Sequence, residues 1–207
     1  MAETTGLTHG PIPGSAVHLC VDMQRLFAEE TEWRTPWIRR VLPQVVRLCE
    51  HGPERTCFTR FVPPARPGEG TGTWRRYYER WSSMTLEALG PGLIDLVPEL
   101  ALFAPPALVF DKRVYSPWFN GALHELLRER GVDTLVVSGG ETDVCVLATV
   151  LGAVDLGYRV VIAVDALCSS SDETHDATVS LYHDRYGQQI ETALCDEILD
   201  GWAIRAG

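Results

Sequence analysis

Val132-Asp133-Thr134-Leu135-Val136-Val137-Ser138-Gly139-Gly140-Glu141-Thr142-Asp143-Val144-Cys145 is the stretch on which the fold turns. Leu135 to Ser138 is apolar on both faces, as a strand covered on both sides must be. Gly139 and Gly140 interrupt it. From Thr142 the period changes, and Leu147, Val150, Leu151 and Val154 recur at helical spacing until Gly157. Tyr158 to Asp165 is again strand-like, with Val160 to Val164 apolar on both faces. Strand, helix and strand in this order make a crossover unit, which calls for parallel pairing.

The same alternation extends in both directions. Ala16 to Asp22, Arg55 to Phe61 and Ala107 to Lys112 read as strands, the last as a buried one. Pro36 to Glu50 has helical character, with Pro43 expected to kink or divide it. Phe119 to Arg130 carries Leu123, Leu126 and Leu127 at helical spacing and stops at Gly131. Asp172 to Tyr186 reads as a helix, Gln188 to Thr192 as a sixth strand and Cys195 to Trp202 as a closing helix. The expected fold is α/β: a mainly parallel six-stranded sheet with helices on both faces. Residues 1–15 are expected to be a flexible leader, and 16–207 one domain with a long insertion at 62–92.

Composition restricts the function classes. The chain has 207 residues, 45% of them hydrophobic and 22% charged, within the range of one ordinary globular domain. A net charge of -10 argues against nucleic acid or an anionic membrane surface as partner. No apolar run approaches the roughly 20 residues of a membrane span. Residues 1–15 lack the pattern of a secretory signal, so the expected location is cytoplasmic. The six cysteines are scattered, with no C-x-x-C pair, and are expected to be free thiols.

In sheets of this kind, chemistry gathers at the carboxyl ends of the strands. The first strand ends at Asp22, the third at Lys112, and the fourth leads through Gly139-Gly140 to Cys145. Each has an ordinary explanation when taken singly. Aspartate is a common turn residue, cysteine packs well in cores, and one lysine can survive by chance in a composition biased toward arginine. Lys112, however, is the only lysine, since 17 of the 18 basic residues are arginine. An ammonium is a compact charge on a flexible stem, whereas guanidinium is a wide fork. An acid, a base and a thiol delivered to one sheet edge suggest covalent catalysis. With Thr142 as N-cap, Cys145 falls in the first helical turn, where a lowered thiol pKa is expected. The glycines suit a tight turn with backbone N–H groups exposed to an oxyanion.

The segment Gly140-Glu141-Thr142-Asp143-Val144-Cys145-Val146 resembles the nucleophile motif of the isochorismatase-like cysteine hydrolases. Asp22-Met23-Gln24 is similar to their first-strand element, and Lys112-Arg113-Val114-Tyr115-Ser116-Pro117-Trp118-Phe119 to their lysine segment. Asp155-Leu156-Gly157-Tyr158 and Val164-Asp165-Ala166 also fit, and the likeness runs from Val17 to Glu191. The resemblance implies a three-layer α/β/α, Rossmann-like domain and a catalytic set of Asp22, Lys112 and Cys145. It also implies a cis peptide at Gly140-Glu141 and an oxyanion hole of the Glu141 and Cys145 N–H groups. The implied reaction is hydrolysis of a non-peptide C–N bond in a small amide, carbamoyl or ureido compound, through a thioester. A homo-oligomer, dimer or tetramer, is implied as well.

Cys57-Phe58-Thr59-Arg60-Phe61 lacks the Asp-x-His element with which nicotinamidases of the family bind a divalent ion. No metal and no cofactor are therefore expected. Two alternatives stand beside the amidase reading: a vinyl ether hydrolase of the isochorismatase type, and a non-enzymatic thiol sensor or ligand-binding protein on the same fold. Candidate substrate-binding residues are Gln24, Arg60, Trp74, Tyr78, Tyr115, Trp118 and Phe119. Arg60 is either a carboxylate anchor or a solvated surface residue. Trp74, Tyr77, Tyr78 and Trp81 fall at helical spacing within 62–92, which is expected to form a lid, a subunit interface or both.

Overall fold

A computed structural model describes residues 4–203. The strands are β1 (Val17–Val21), β2 (Thr56–Phe61), β3 (Leu108–Lys112), β4 (Thr134–Gly140), β5 (Arg159–Cys168) and β6 (Ile190–Ala193). The helices are α1 (Arg25–Ala28), α2 (Ile38–His51), α3 (Thr73–Arg80), α4 (Pro98–Ala101), α5 (Ala122–Glu129), α6 (Leu147–Asp155), α7 (Asp172–Tyr186) and α8 (Cys195–Gly201). All strand pairs are parallel, in the order β3-β2-β1-β4-β5-β6. The order reverses between β1 and β4, which opens a crevice at their carboxyl ends.

Alternation along the strands builds two cores. Leu19 and Val21 of β1 face Leu123, Leu127, Val150, Ala153 and Tyr182 of α5, α6 and α7. Cys20, Phe58, Val136 and Val161 face Val41, Val45 and Leu48 of α2 and Ile198 of α8. These three layers follow from the sheet's need to bury both apolar faces. Each fully buried Leu, Val or Phe contributes about 1.5–3 kcal/mol.

Gly139 could be no other residue. At φ +105 its backbone lies so close to β1 that a Cβ would sit 2.1 Å from the Val21 carbonyl oxygen. No described helix is long and apolar enough to cross a membrane.

Three expectations need correction. Helix α2 runs unbroken through Pro43. Pro43 and Arg39 both lie on the exposed side, so the carbonyl that Pro43 leaves without an amide partner faces solvent. Strand β3 is the sheet's edge and only half covered, with Val109 43% exposed, because its outer side has no neighbouring strand. The leader is held rather than loose over its described part. Gly6 N–H donates to Thr192 O at 3.0 Å, Ile12 N–H donates to Gly201 O at 2.9 Å, and the Ile12 side chain is buried. Residues 1–3 and 204–207 of the expected leader and domain lie outside the described residues.

Candidate active site

Strands β1 and β4 bring Asp22 and Cys145 to the crevice directly. Lys112 must come from β3, two strands from β1, or roughly 10 Å at normal strand spacing. Its long stem crosses the end of β2, with Nζ 5.0 Å from the centre of the Phe61 ring. Nζ then donates to Asp22 Oδ2 at 2.6 Å, to Cys145 Sγ at 3.4 Å and to Val114 O at 3.3 Å. An ammonium has three protons, and all three have acceptors here. Asp22, Lys112 and Cys145 are 1%, 5% and 6% exposed.

Asp22 has φ +51, among the described residues the one non-glycine position in the left-handed region. Its backbone N–H points to Thr59 O and Thr59 Oγ1, both at 3.2 Å, while Thr59 Oγ1–H donates to Asp22 Oδ1 at 2.6 Å. Thr59 is fully buried. Sequence reading passed over it, although a hydroxyl among the apolar residues of a central strand was a visible signal.

The sequence suggested a thiol with lowered pKa. The structure reverses that direction. Burial first, then the neighbouring Asp22 carboxylate, pushes the Cys145 thiol well above the ordinary range, and the opposing pull of Lys112 does not compensate. A helix N-terminus contributes only ~0.3–1 kcal/mol at exposed sites, less than desolvation of a buried sulfur anion costs. For Lys112, burial acts downward, but Asp22 and Cys145 together hold the ammonium above the ordinary lysine value. The resting set is therefore a thiol beside a carboxylate–ammonium pair.

Thr142 is not the N-cap. That position belongs to Glu141, and Thr142–Val146 forms one π turn ahead of α6. The Thr142 hydroxyl instead donates to Cys168 O at 3.1 Å and lies 2.8 Å from His175 Nδ1, tying the turn to β5 and α7. The Gly140–Glu141 peptide is cis. Glu141 O accepts the N–H groups of Val144 and Val146 at 3.1 and 3.0 Å.

Cys145 opens into a cavity of about 220 Å³. Its walls are mostly aromatic: Phe27, Trp33, Phe61, Tyr77, Trp81 and Tyr115, with Glu32, Arg34, Glu141, Val144 and Ser170 completing them. Helix α3 and the loop after α1 close over the site together. Trp33 packs on Tyr77, Tyr78 and Trp81 with centroids 5.8–6.4 Å apart, and Ser83 donates to Glu32. Tyr77 and Trp81 of segment 62–92 thus form part of the cavity wall.

Of the candidate substrate-binding residues, only Tyr115 reaches the cavity wall. Trp74 and Tyr78 stand behind that wall, packing on Tyr115 and on Trp33 respectively. The residues one turn away, Tyr77 and Trp81, face the cavity. Gln24 is buried as a backbone clamp. Its amide accepts from Phe61 N–H at 2.7 Å and donates to Ile94 O at 2.7 Å and Phe61 O at 3.1 Å. Arg60 is held at the sheet edge by both Asp111 oxygens, at 2.7 and 2.9 Å, and by Asp95. Trp118 is a core residue, donating to Thr149 O at 2.8 Å and lying so close to Gly152 that a Cβ there would sit 2.4 Å from it. Phe119 is 82% exposed and away from the cavity. Spacing defined the helix faces; which face met the cavity depended on helix placement. Among the described residues, no group of three or more His, Cys, Asp or Glu is placed to hold a metal ion.

Comparison with known proteins agrees with this architecture. The Isochorismatase domain matches residues 16–193, and the chain belongs to the isochorismatase-like cysteine hydrolase family. A cysteine hydrolase from Pseudomonas syringae pv. phaseolicola has the same fold, with TM-score 0.80 at 21% identity over 97% of each chain. N-carbamoylsarcosine amidase from Thermoplasma acidophilum gives TM-score 0.69 at 20% identity, over 87% of this chain and 96% of that one. In sequence, the isochorismatase family protein YwoC of Bacillus subtilis is 35% identical over 98 residues, 47% of this chain. The match spans only about half of that relative's length, 51%. A probable inactive nicotinamidase of Arabidopsis thaliana is 29% identical over 167 residues, 78% of this chain and 84% of that protein.

Proposed function

We propose that the protein is a cysteine hydrolase that cleaves a non-peptide C–N bond in a small amide, carbamoyl or ureido compound. The observation that carries this reading is the three-way contact at Lys112, whose Nζ bonds both Asp22 Oδ2 and Cys145 Sγ, with Cys145 itself opening into an aromatic cavity. Sequence relatives that include a maleamate amidohydrolase and ureidoacrylate amidohydrolases, 29–38% identical over part of their length, support the substrate class.

The chemistry begins from the thiol. As the substrate carbonyl approaches, Asp22 removes the Cys145 proton, and Lys112 stabilises the sulfur anion as it attacks. The tetrahedral oxyanion receives the N–H groups of Glu141 and Cys145, at the start of a helical segment whose first donors lack intrahelical partners. Asp22 returns the proton to the leaving amine. It then takes a proton from water, whose attack on the thioester releases the acid and restores the thiol. The buried setting and raised thiol pKa also disfavour a peroxide sensor, which needs an exposed, readily ionised cysteine.

The test is a panel of small amides, carbamoyl amines and ureides, followed by intact-mass detection of an acyl adduct. Cys145→Ala should fold normally and lose turnover. Turnover surviving in that variant would sink covalent catalysis.

A further inference from the structure

We propose that Thr59 is a positioning residue of this site, whose hydroxyl confines the exchangeable proton of Asp22 to Oδ2. This rests on the hydrolase reading above and adds to it. The observation is the pair of bonds between Thr59 Oγ1 and Asp22. The oxygen takes a share of the Asp22 N–H at 3.2 Å and lies 2.6 Å from Oδ1.

Count the protons. A hydroxyl has one proton to donate. Oγ1 already receives the backbone N–H, and Oδ1 lies at short hydrogen-bond distance, so the Thr59 proton points to Oδ1. A proton placed on Oδ1 would have to point back at Oγ1. The Thr59 proton would then need another acceptor, and the site is closed, with Thr59 at 0% and Asp22 at 1% exposure. A buried donor left without an acceptor is disfavoured. Oδ1 is therefore a permanent acceptor. The proton taken from Cys145 lodges on Oδ2, the oxygen on the Lys112 side. The backbone at Asp22, in the left-handed region, sets the carboxylate in this orientation, and Thr59 keeps it from turning over. The groups facing the Asp22 carboxylate are Lys112 from β3 and Cys145 from the turn after β4, with Cys20 nearby on its own strand.

The experiment needs no substrate. Carbamidomethylation of Cys145 by iodoacetamide is followed from pH 5 to 10 by mass spectrometry of the Cys145 peptide, in the wild-type protein, Thr59→Ser and Thr59→Val. Thr59→Val removes the hydroxyl that bonds Oδ1, so its pH–rate profile is displaced from that of the wild-type protein. Thr59→Ser keeps the hydroxyl, and its profile superimposes on wild type. Three coincident profiles overturn the proposal, as does a Thr59→Ser profile displaced like that of Thr59→Val, which would mark a packing role. Thr59→Ala serves with the same outcomes if Thr59→Val does not fold. With a hydrolysed substrate in hand, Thr59→Val lowers kcat by about 10- to 100-fold with KM little changed. A KM change alone overturns the proposal. If no substrate is ever hydrolysed, the hydrolase reading fails, and the alkylation profiles still decide what Thr59 does to Asp22.

Discussion

Replacing Lys112 with methionine removes the ammonium while keeping an unbranched stem of similar length. The Asp22 carboxylate is then left buried without its partner. The ion pair is 2.6 Å long, and its side chains are 2% and 1% exposed. At an effective dielectric near 20, unit charges at that distance attract by roughly 6 kcal/mol, and desolvation of both offsets much of this. Loss of one partner from such a pair costs about 3–5 kcal/mol. For a domain of this size that lowers Tm by about 6–20 °C. The assay is a double-mutant cycle by urea and thermal unfolding at pH 7 with Lys112→Met, Asp22→Asn and the double variant. Asp22→Asn with Lys112→Met is expected to recover at least ~2 kcal/mol relative to the sum of the single losses, because no lone charge remains buried. The sign with pH also follows. The folded Lys112 pKa is raised, so its stabilising contribution is complete below the ordinary value of 10.5 and is lost as pH rises through the folded one. Strictly additive losses, or a Lys112→Met protein within ~0.5 kcal/mol of wild type, would refute the picture of a desolvated, tightly coupled pair.

Three further outcomes are expected. His18 is fully buried against Ser138, at 2.7 Å, and burial lowers its pKa to about 3. The unfolded histidine binds a proton below about 6.5, the folded one only near 3, so stability falls as pH drops through that window. Replacement of His18 by Asn should flatten that part of the pH–stability curve. An unchanged slope would show that His18 is not buried neutral. At the cavity, Tyr77→Ala and Trp81→Ala should raise KM about tenfold or more with smaller effects on kcat, since each removes part of a substrate-facing wall. Phe119→Ala should leave both constants unchanged in steady-state assays. The opposite pattern would place the binding surface at β3 instead.

Much of the fold was legible because it is encoded at short range. The run Leu135 to Ser138 followed by helical spacing from Leu147 defines a β-α unit locally, and its repetition leads to a parallel sheet. Asp22, Lys112 and Cys145 could be found for the same reason, since each stands at, or in the turn just after, the end of a strand that can be read one residue at a time. Their types and order, Gly139-Gly140 before the cysteine, and the lone lysine were all present in the sequence.

Only the tertiary structure decided which surroundings those groups have. Burial beside Asp22 turned the Cys145 thiol toward its protonated form, against the local influence of the helix start. Helix α3 was expected from its spacing, yet Tyr77 and Trp81 face the cavity while Trp74 and Tyr78 stand behind it. The bond from Thr59 to Asp22 exists only because β2 lies beside β1. Periodicity and strand ends depend on neighbours along the chain. Desolvation, the choice of helix face and hydrogen bonds across 37 residues depend on neighbours in space, which packing alone creates.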